Sequence, residues 1–244
     1  MIFDKLYKNE NDVLDLIDRT FENNSGYLLT YFNQHCFNIF NSNDEYRNLL
    51  DNSFEVLLDG VGIYLTLKIF DYKNVQRFNA TDINKKIFNR FSAKQIPLFL
   101  IGGKFSKEFV LERASEKKIN VVGYQNGYFS FGDELQMEKD ILLLVDQIKR
   151  TSAEVVVIAI GVPKQEILAH KLVSLVEVDL ILCVGGFLEF YFESKKRAPK
   201  ILRDLGIEWA YRLFKEPTRL WKRYLVGIPI FLYNVFKEYL KFKK

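Results

Sequence analysis

The sequence predicts an α/β protein, doubly wound about a mostly parallel sheet, with a basic helical appendage at its carboxyl end. Three observations carry that expectation. Short apolar runs of strand length recur and end in glycine with a polar side chain close by, segments of helical period lie between them, and basic charge is concentrated in residues 195–244. Open α/β sheets bind their ligands outside the carboxyl ends of the strands, so what stands at each strand end matters most.

Composition bounds the problem. A chain of 244 residues with 48% hydrophobic and 27% charged residues is globular and long enough to bury a core. The 22 Phe and 13 Tyr fit either an aromatic core or aromatics that meet a membrane or a sugar. Cys36 and Cys183 cannot make a disulfide framework, which points to a reducing cytoplasm. Met1 to Asn11 lacks the basic start and apolar core of a signal peptide. The longest apolar candidate, Tyr224 to Phe236, is shorter than the roughly 20 residues of a membrane-spanning helix and holds Pro229, so it reads as lying on a surface. The net charge of +4 divides unevenly: residues 195–244 hold 14 Lys or Arg against 4 Asp or Glu, leaving residues 1–194 at −6. Basic residues interleaved with Trp, Phe and Tyr suit an anionic membrane surface.

Taken in order, a helix is expected from about Asn11 to Phe21 with Asn11 as cap, then a strand over Tyr27–Phe32 followed by Asn33 and His35. The run Phe54 to Leu58 stops at Asp59-Gly60-Val61-Gly62, which puts Asp59 at the carboxyl end of a buried strand. There it serves as a general base, a ribose ligand or a turn former, and the residues alone leave all three open. Arg77 precedes a helix from Ala80 through Phe91, with Thr81 or Asp82 in capping position. Pro97 to Ile101 and Ile119 to Val122 read as strands around a helix capped near Ser106, and Gly102-Gly103-Lys104 between them is a weak anion signal. Gly123 to Phe129 reads as a loop with two glycines, Gly123 and Gly127, and three aromatics, Tyr124, Tyr128 and Phe129, which either stack on a base or sugar ring where exposed or anchor the loop.

A helix over Glu134–Arg150 leads to the all-apolar run Val155 to Ile160, expected as a central parallel strand. Pro163 then starts a helix whose first turn holds Lys164, Gln165 and Glu166, with amides directed at a second anion position. A last strand, Val178 to Val184, ends in Gly185-Gly186 with Glu189 nearby. In the basic segment Arg212, Lys215, Arg219, Lys222 and Arg223 share one helical face that Pro217 divides, and Trp209, Trp221 and Tyr224 suit headgroup depth. The whole is Rossmann-like, with a core over residues 1–194 and an amphipathic membrane-docking appendage over 195–244.

The ordered series Asp59-Gly60-Val61-Gly62, Arg77 with Asp82, Ile101-Gly102-Gly103-Lys104, Gly123-Tyr124 with Asn126-Gly127-Tyr128-Phe129, Gly161-Val162-Pro163-Lys164-Gln165-Glu166, Val184-Gly185-Gly186, Lys196-Arg197-Ala198-Pro199-Lys200 and Glu208-Trp209-Ala210-Tyr211-Arg212 with Glu216-Pro217 resembles the WecG/TagA/CpsF family of bacterial glycosyltransferases. The matches run from about Leu29 to Gly227. The resemblance implies an inverting transferase of cell-surface polymer synthesis, cytoplasmic and peripheral on the inner face of the membrane. It would move a sugar from a UDP-sugar donor to a polyprenyl-diphosphate-linked saccharide. It further implies Asp59 as base, Arg77 and Gln165 in the site, and Arg212, Arg219 and Arg223 as the appendage's arginines. The other residues it places on substrate are Asn33, Gly60, Gly102, Gly103, Gly127, Tyr128, Pro163, Lys164, Gly185, Gly186, Glu189 and Arg197. The sequence departs from the family pattern at three places: Tyr31-Phe32-Asn33 stands where Thr-x-Asn is common, Ala80 where Gly is common, and Glu189 where Asp is frequent.

Inverting transfer needs one base and a set of cations or dipoles for the leaving diphosphate. No Asp-x-Asp occurs, and two His with two distant Cys argue against zinc, so neither metal nor cofactor is expected and the UDP-sugar is a substrate. N-acetylmannosamine is the leading donor sugar, with glucose or a uronic acid behind it. A UDP-sugar-binding regulator or scaffold without transfer is the main rival. An NAD oxidoreductase is disfavoured by the missing Gly-x-Gly-x-x-Gly, and no nucleic-acid module is present. A homo-oligomer remains open at this stage.

Overall fold

The structure, a computed structural model, describes residues 1–23 and 26–243. Among the described residues seven strands form one all-parallel sheet in the order β1-β3-β2-β7-β6-β4-β5. The first half holds α1 (Ile2–Lys5), β1 (Leu6–Tyr7), α2 (Glu10–Asn23), β2 (Tyr27–Phe32), α3 (Gln34–Ser42), α4 (Asp44–Asn52), β3 (Glu55–Leu58) and α5 (Gly60–Ile69). The second half runs through α6 (Ala80–Lys94), β4 (Leu98–Gly102), α7 (Lys107–Glu116), β5 (Val121–Gln125), α8 (Glu134–Lys149), β6 (Val155–Ala159), α9 (Lys164–Val173), β7 (Leu180–Cys183) and α10 (Phe187–Tyr191). The two halves meet where β2 pairs with β7, with Leu28 opposite Ile181. The crevice outside those carboxyl ends is the place the topology reserves for a ligand.

Both faces of the sheet are covered, which is why its central strands are apolar on both sides. One face buries Phe37, Leu50, Leu144 and Leu168 from α3, α4, α8 and α9. The other buries Ile17, Phe88, Val110 and Phe187 from α2, α6, α7 and α10. Nine Phe are among the largest fully buried side chains, so much of the aromatic excess is core. The exposed remainder is uneven: Phe214, Trp221, Tyr233, Phe236 and Phe242 all lie in the basic segment.

Several local expectations need correction. The first long helix begins at Glu10, and its cap is Asn9, whose Oδ1 accepts from the Asp12 amide at 2.9 Å. Gly123-Tyr124-Gln125 continue β5 instead of forming a loop, because a Cβ at Gly123 would run into the Phe99 ring of the neighbouring strand. The cap of α6 is Asn79, not Thr81 or Asp82: its Oδ1 takes the Thr81 amide at 2.8 Å.

The basic segment folds as α11 (Lys200–Asp204), α12 (Glu208–Lys215), α13 (Pro217–Trp221), a π-helical turn over Lys222–Val226 and α14 (Gly227–Phe242). Pro217 does interrupt the helix. The stretch read as lying on a surface is half embedded: Phe231 and Val235 join the core, and Phe231 meets Phe37 edge-on with ring centroids 5.7 Å apart. Asn38 Nδ2 donates to the Gly227 carbonyl at 2.7 Å and fixes the start of α14 on α3. Tyr224 is buried and packs beside Trp209 with centroids 5.7 Å apart, so headgroup depth is ruled out for it.

Candidate active site

The site is built from β3 outward. That strand ends at Leu58, and Gly60 at φ +80° makes the left-handed turn into α5 that a side chain would resist. Asp59 stands between them, its side chain making no cap bond to α5. Its Oδ1 accepts from the Ala80 amide at 2.8 Å and its Oδ2 from Asn33 Nδ2 at 3.2 Å. Asn33 is itself fixed, since its Oδ1 caps α3 by accepting from the amides of His35 and Cys36 at 3.0 and 3.2 Å. Three chain segments therefore aim one carboxylate into the crevice.

Two cavities meet at Asp59. The first, about 390 Å³, is lined by Asn33, Asp59, Gly60, Arg77, Arg212 and Arg223 together with Asp82, Glu208 and Trp209. The second, about 640 Å³, shares Asn33, Asp59, Arg212 and Arg223 and adds Gln165, Gly185, Gly186 and Arg219. A third, about 250 Å³, continues from Gly185 and Gly186 to Gly103, Gly127, Tyr128, Glu189 and Arg219. Together they form a groove along the carboxyl edge of the sheet. Tyr128 is 64% exposed beside it, with the Lys104 ammonium 5.9 Å from its ring centroid.

The opposite wall comes from the basic segment. Glu208, 8% exposed, accepts from Arg212 Nη2 at 2.8 Å, and its other oxygen lies 3.3 Å from Asn79 Nδ2 and 3.5 Å from Arg197 Nη2. Arg197 Nη1 donates to Asp82 at 2.6 Å. Burial works against the Arg197 charge, and the hydrogen bond to Asp82 with the field of Glu208 outweighs it, raising its pKa. Arg212 also lies over the Phe190 ring at 4.8 Å. The basic residues are thus not one free face: Arg212 is paired with Glu208, Arg219 with Glu216, and the buried Arg223 Nε has no partner among the described residues.

Other expected residues fall elsewhere. Arg77 borders the first cavity but spends its guanidinium on the carbonyls of Arg203 and Asp204, closing the end of α11. Arg197 lines none of the three cavities and pairs with Asp82 and Glu208 behind them. Pro163 is the cap of α9, and the amides of Gln165 and Glu166 already bond the carbonyls of Gly161 and Pro163, so that turn does not offer a row of free donors. Lys164 turns its ammonium onto Phe131, 4.9 Å from the ring centroid. Gly102 packs against Ala159, where a Cβ would clash with its carbonyl at 2.5 Å, a structural demand of the β4·β6 pair.

Gln165 remains at the groove, and its neighbour Glu166 is more than a first-turn acid. Glu166 is fully buried, accepting from Thr30 Oγ1 at 2.6 Å and Gln165 Nε2 at 2.8 Å. Burial raises its pKa against those hydrogen bonds. His35, bordering the second cavity, is pushed from 6.5 to about 4 by burial and by the Arg223 charge. Glu208 and Glu166 are the two residues sequence reasoning undervalued. The signal for Glu208 was its being one of only four acids among fourteen basic residues.

Among the described residues no group of three or more His, Cys, Asp or Glu side chains is placed to hold a metal ion, and no helix is long and apolar enough to cross a membrane. The arrangement can take a proton at Asp59 and neutralise an anion at Arg212 and Arg223 across the same space. A comparison with family models finds a match to the one described as "Glycosyl transferase WecG/TagA/CpsF family", over residues 3–244.

Proposed function

The chain belongs to that glycosyl transferase family, and on that premise we propose that it is an inverting transferase which moves a sugar from a UDP-sugar to a polyprenyl-diphosphate-linked saccharide in surface-polymer synthesis. The observation that carries the reading is the position of Asp59: one carboxylate, held by Ala80 and Asn33, borders the 390 and 640 Å³ cavities, and so do Arg212 and Arg223. The acceptor hydroxyl would give its proton to Asp59 as its oxygen bonds the sugar's anomeric carbon. The bond from that carbon to the diphosphate oxygen breaks, and the electron pair leaves on UDP, where arginine charge offsets it. No covalent intermediate is needed, and the reaction proceeds without a metal.

The nucleoside end of the donor suits the third cavity, where Tyr128 offers a ring face and Glu189 a carboxylate for ribose hydroxyls. N-acetylmannosamine is the leading sugar, ahead of glucose and a uronic acid. The outer side of the basic segment exposes Trp221, Leu225, Leu232, Tyr233 and Phe236 near Lys222, Lys237 and Lys241, which supports peripheral docking on an anionic membrane face. At roughly 1 kcal/mol for each basic residue near such a surface, the attachment would be reversible.

Incubating the full chain with a panel of UDP-sugars and a short-chain lipid-diphosphate acceptor, with products read by mass spectrometry, tests the assignment. One donor should yield a glycosylated acceptor and UDP, undiminished in excess chelator. Binding of a UDP-sugar with no product from any donor would reduce the protein to a binding module. Chelator-sensitive transfer restored by magnesium would overturn the metal-free chemistry.

A further inference from the structure

We infer that Thr30 and Glu166 are positioning residues that lock the side-chain amide of Gln165, so that one of its N–H bonds is held toward the groove as a donor to a phosphate oxygen of the nucleotide-sugar. The identity of the ligand rests on the function proposed above. The orientation of the amide rests on hydrogen bonds alone.

A glutamine amide has an acceptor end and a donor end, and its partners decide which way it points. The Gly185 amide, which can only donate, lies 3.0 Å from Gln165 Oε1. The Glu166 carboxyl oxygen lies 2.8 Å from Gln165 Nε2. Reversing the amide would set its NH2 group against the Gly185 N–H, so the observed orientation is the one both partners accept. Thr30 enters because its hydroxyl, fully buried on β2, donates to the same Glu166 oxygen at 2.6 Å. A chain of hydrogen bonds thus runs from β2 through the first turn of α9 to the turn after β7, tying together the three elements that enclose this part of the crevice.

The NH2 group carries two hydrogens and Glu166 takes one of them. Gln165, 3% exposed, borders the 640 Å³ cavity that Asp59 also lines, and among the described residues its Nε2 has no acceptor besides Glu166, which leaves the second hydrogen for a ligand there. An oxygen-rich anion is the chemistry that a fixed neutral donor beside Arg219 and Arg223 would recognise. Among the described residues the hydrogen-bond partners of Glu166 are Thr30 and Gln165, both on Oε1, with none on Oε2, and burying a carboxyl in that way is costly for a residue that only fills space. Its use is to make the neighbouring amide a donor.

Two measurements on the full chain test this, one of them independent of turnover. In 15N-labelled protein the Gln165 side-chain amide pair, identified by its loss in Gln165→Ala, should show two well-separated proton shifts. In Thr30→Val and Glu166→Met the pair should move toward the positions of a free amide, and Thr30→Ser should restore it. Unchanged Gln165 resonances in a folded Thr30→Val or Glu166→Met protein would overturn the inference. In the transfer assay Glu166→Met should lower kcat about tenfold, the worth of one neutral hydrogen bond, with acceptor KM little changed. Placed on Gln165→Ala, the same substitution should change kcat less than about twofold, since the two act as a unit. Multiplying effects would mean that Glu166 acts otherwise. Should the wild-type protein transfer no sugar, the proposed function fails, and the amide spectrum still decides the positioning role.

Discussion

The two walls of the groove are held by opposite physics. Asn33, Asp59 and Gln165 stand just past strand ends or in the first turn of a helix, and hydrogen bonds fix them: backbone amides hold all three, Asn33 also holds Asp59, and Glu166, itself bonded by Thr30, takes the amide of Gln165. Arg212, Arg219 and Arg223 stand on short helical segments, and the partners of the first two are the carboxylates Glu208 and Glu216. The sheet wall inherits its geometry from the core. The basic wall depends on ion pairs that are weak when exposed, and on the buried Glu208 carboxylate between Arg197 and Arg212, where the loss of one partner is costly.

The comparison can be broken in several ways. The largest loss of stability is expected where the basic segment enters the core: Phe231→Ala should cost about 3–4 kcal/mol in denaturant unfolding, as for other buried Phe truncations. A loss below about 1 kcal/mol would mean that α14 is only laid on the surface. For the same reason, deleting residues 212–244 removes part of the core along with the docking surface, so charge reversal at Lys237 and Lys241 is the cleaner way to test vesicle binding. Glu208→Ala leaves Arg197 and Arg212 without their shared partner and should cost about 3 kcal/mol, the usual penalty for breaking a buried pair.

His35 sharpens the comparison through pH. Its folded pKa lies near 4 against an ordinary 6.5, so between those values the unfolded chain takes a proton the folded one refuses. Stability should therefore fall as pH drops from 6.5 toward 4, by about 3 kcal/mol at most from this group, and His35→Gln should flatten that part of the profile. An equal slope in the variant would remove His35 from the account. The smallest effect belongs to Glu216→Ala, whose partner Arg219 is 60% exposed: less than about 1 kcal/mol, fading further in 1 M salt.

Much of the sheet wall was legible in the sequence. Tyr27–Phe32 and Val155–Ala159 are apolar runs whose strand assignment needs no tertiary information, and Gly60 after Asp59 marks the turn. Other features were not legible for physical reasons. β1 is only two residues long and exists because Leu6 pairs with Val56 at the sheet edge. Glu166 hid behind a sufficient local explanation, since an acid in a first helical turn already suits the helix dipole; its burial depends on Thr30, far away in the sequence. Asp82, one partner of Arg197, and Asp204, one partner of Arg77, lie more than a hundred residues from them, and no local pattern announces such pairs.

Asp59→Asn tests the central claim most directly. Asparagine keeps an oxygen for the Ala80 amide, so the fold and UDP binding should persist, measured by melting temperature and calorimetry. Transfer from the accepted UDP-sugar should fall about 10²- to 10⁴-fold, the usual contribution of a general base. A variant that binds UDP normally and transfers at the wild-type rate would show that Asp59 is not the base and that the groove has been read from the wrong residue.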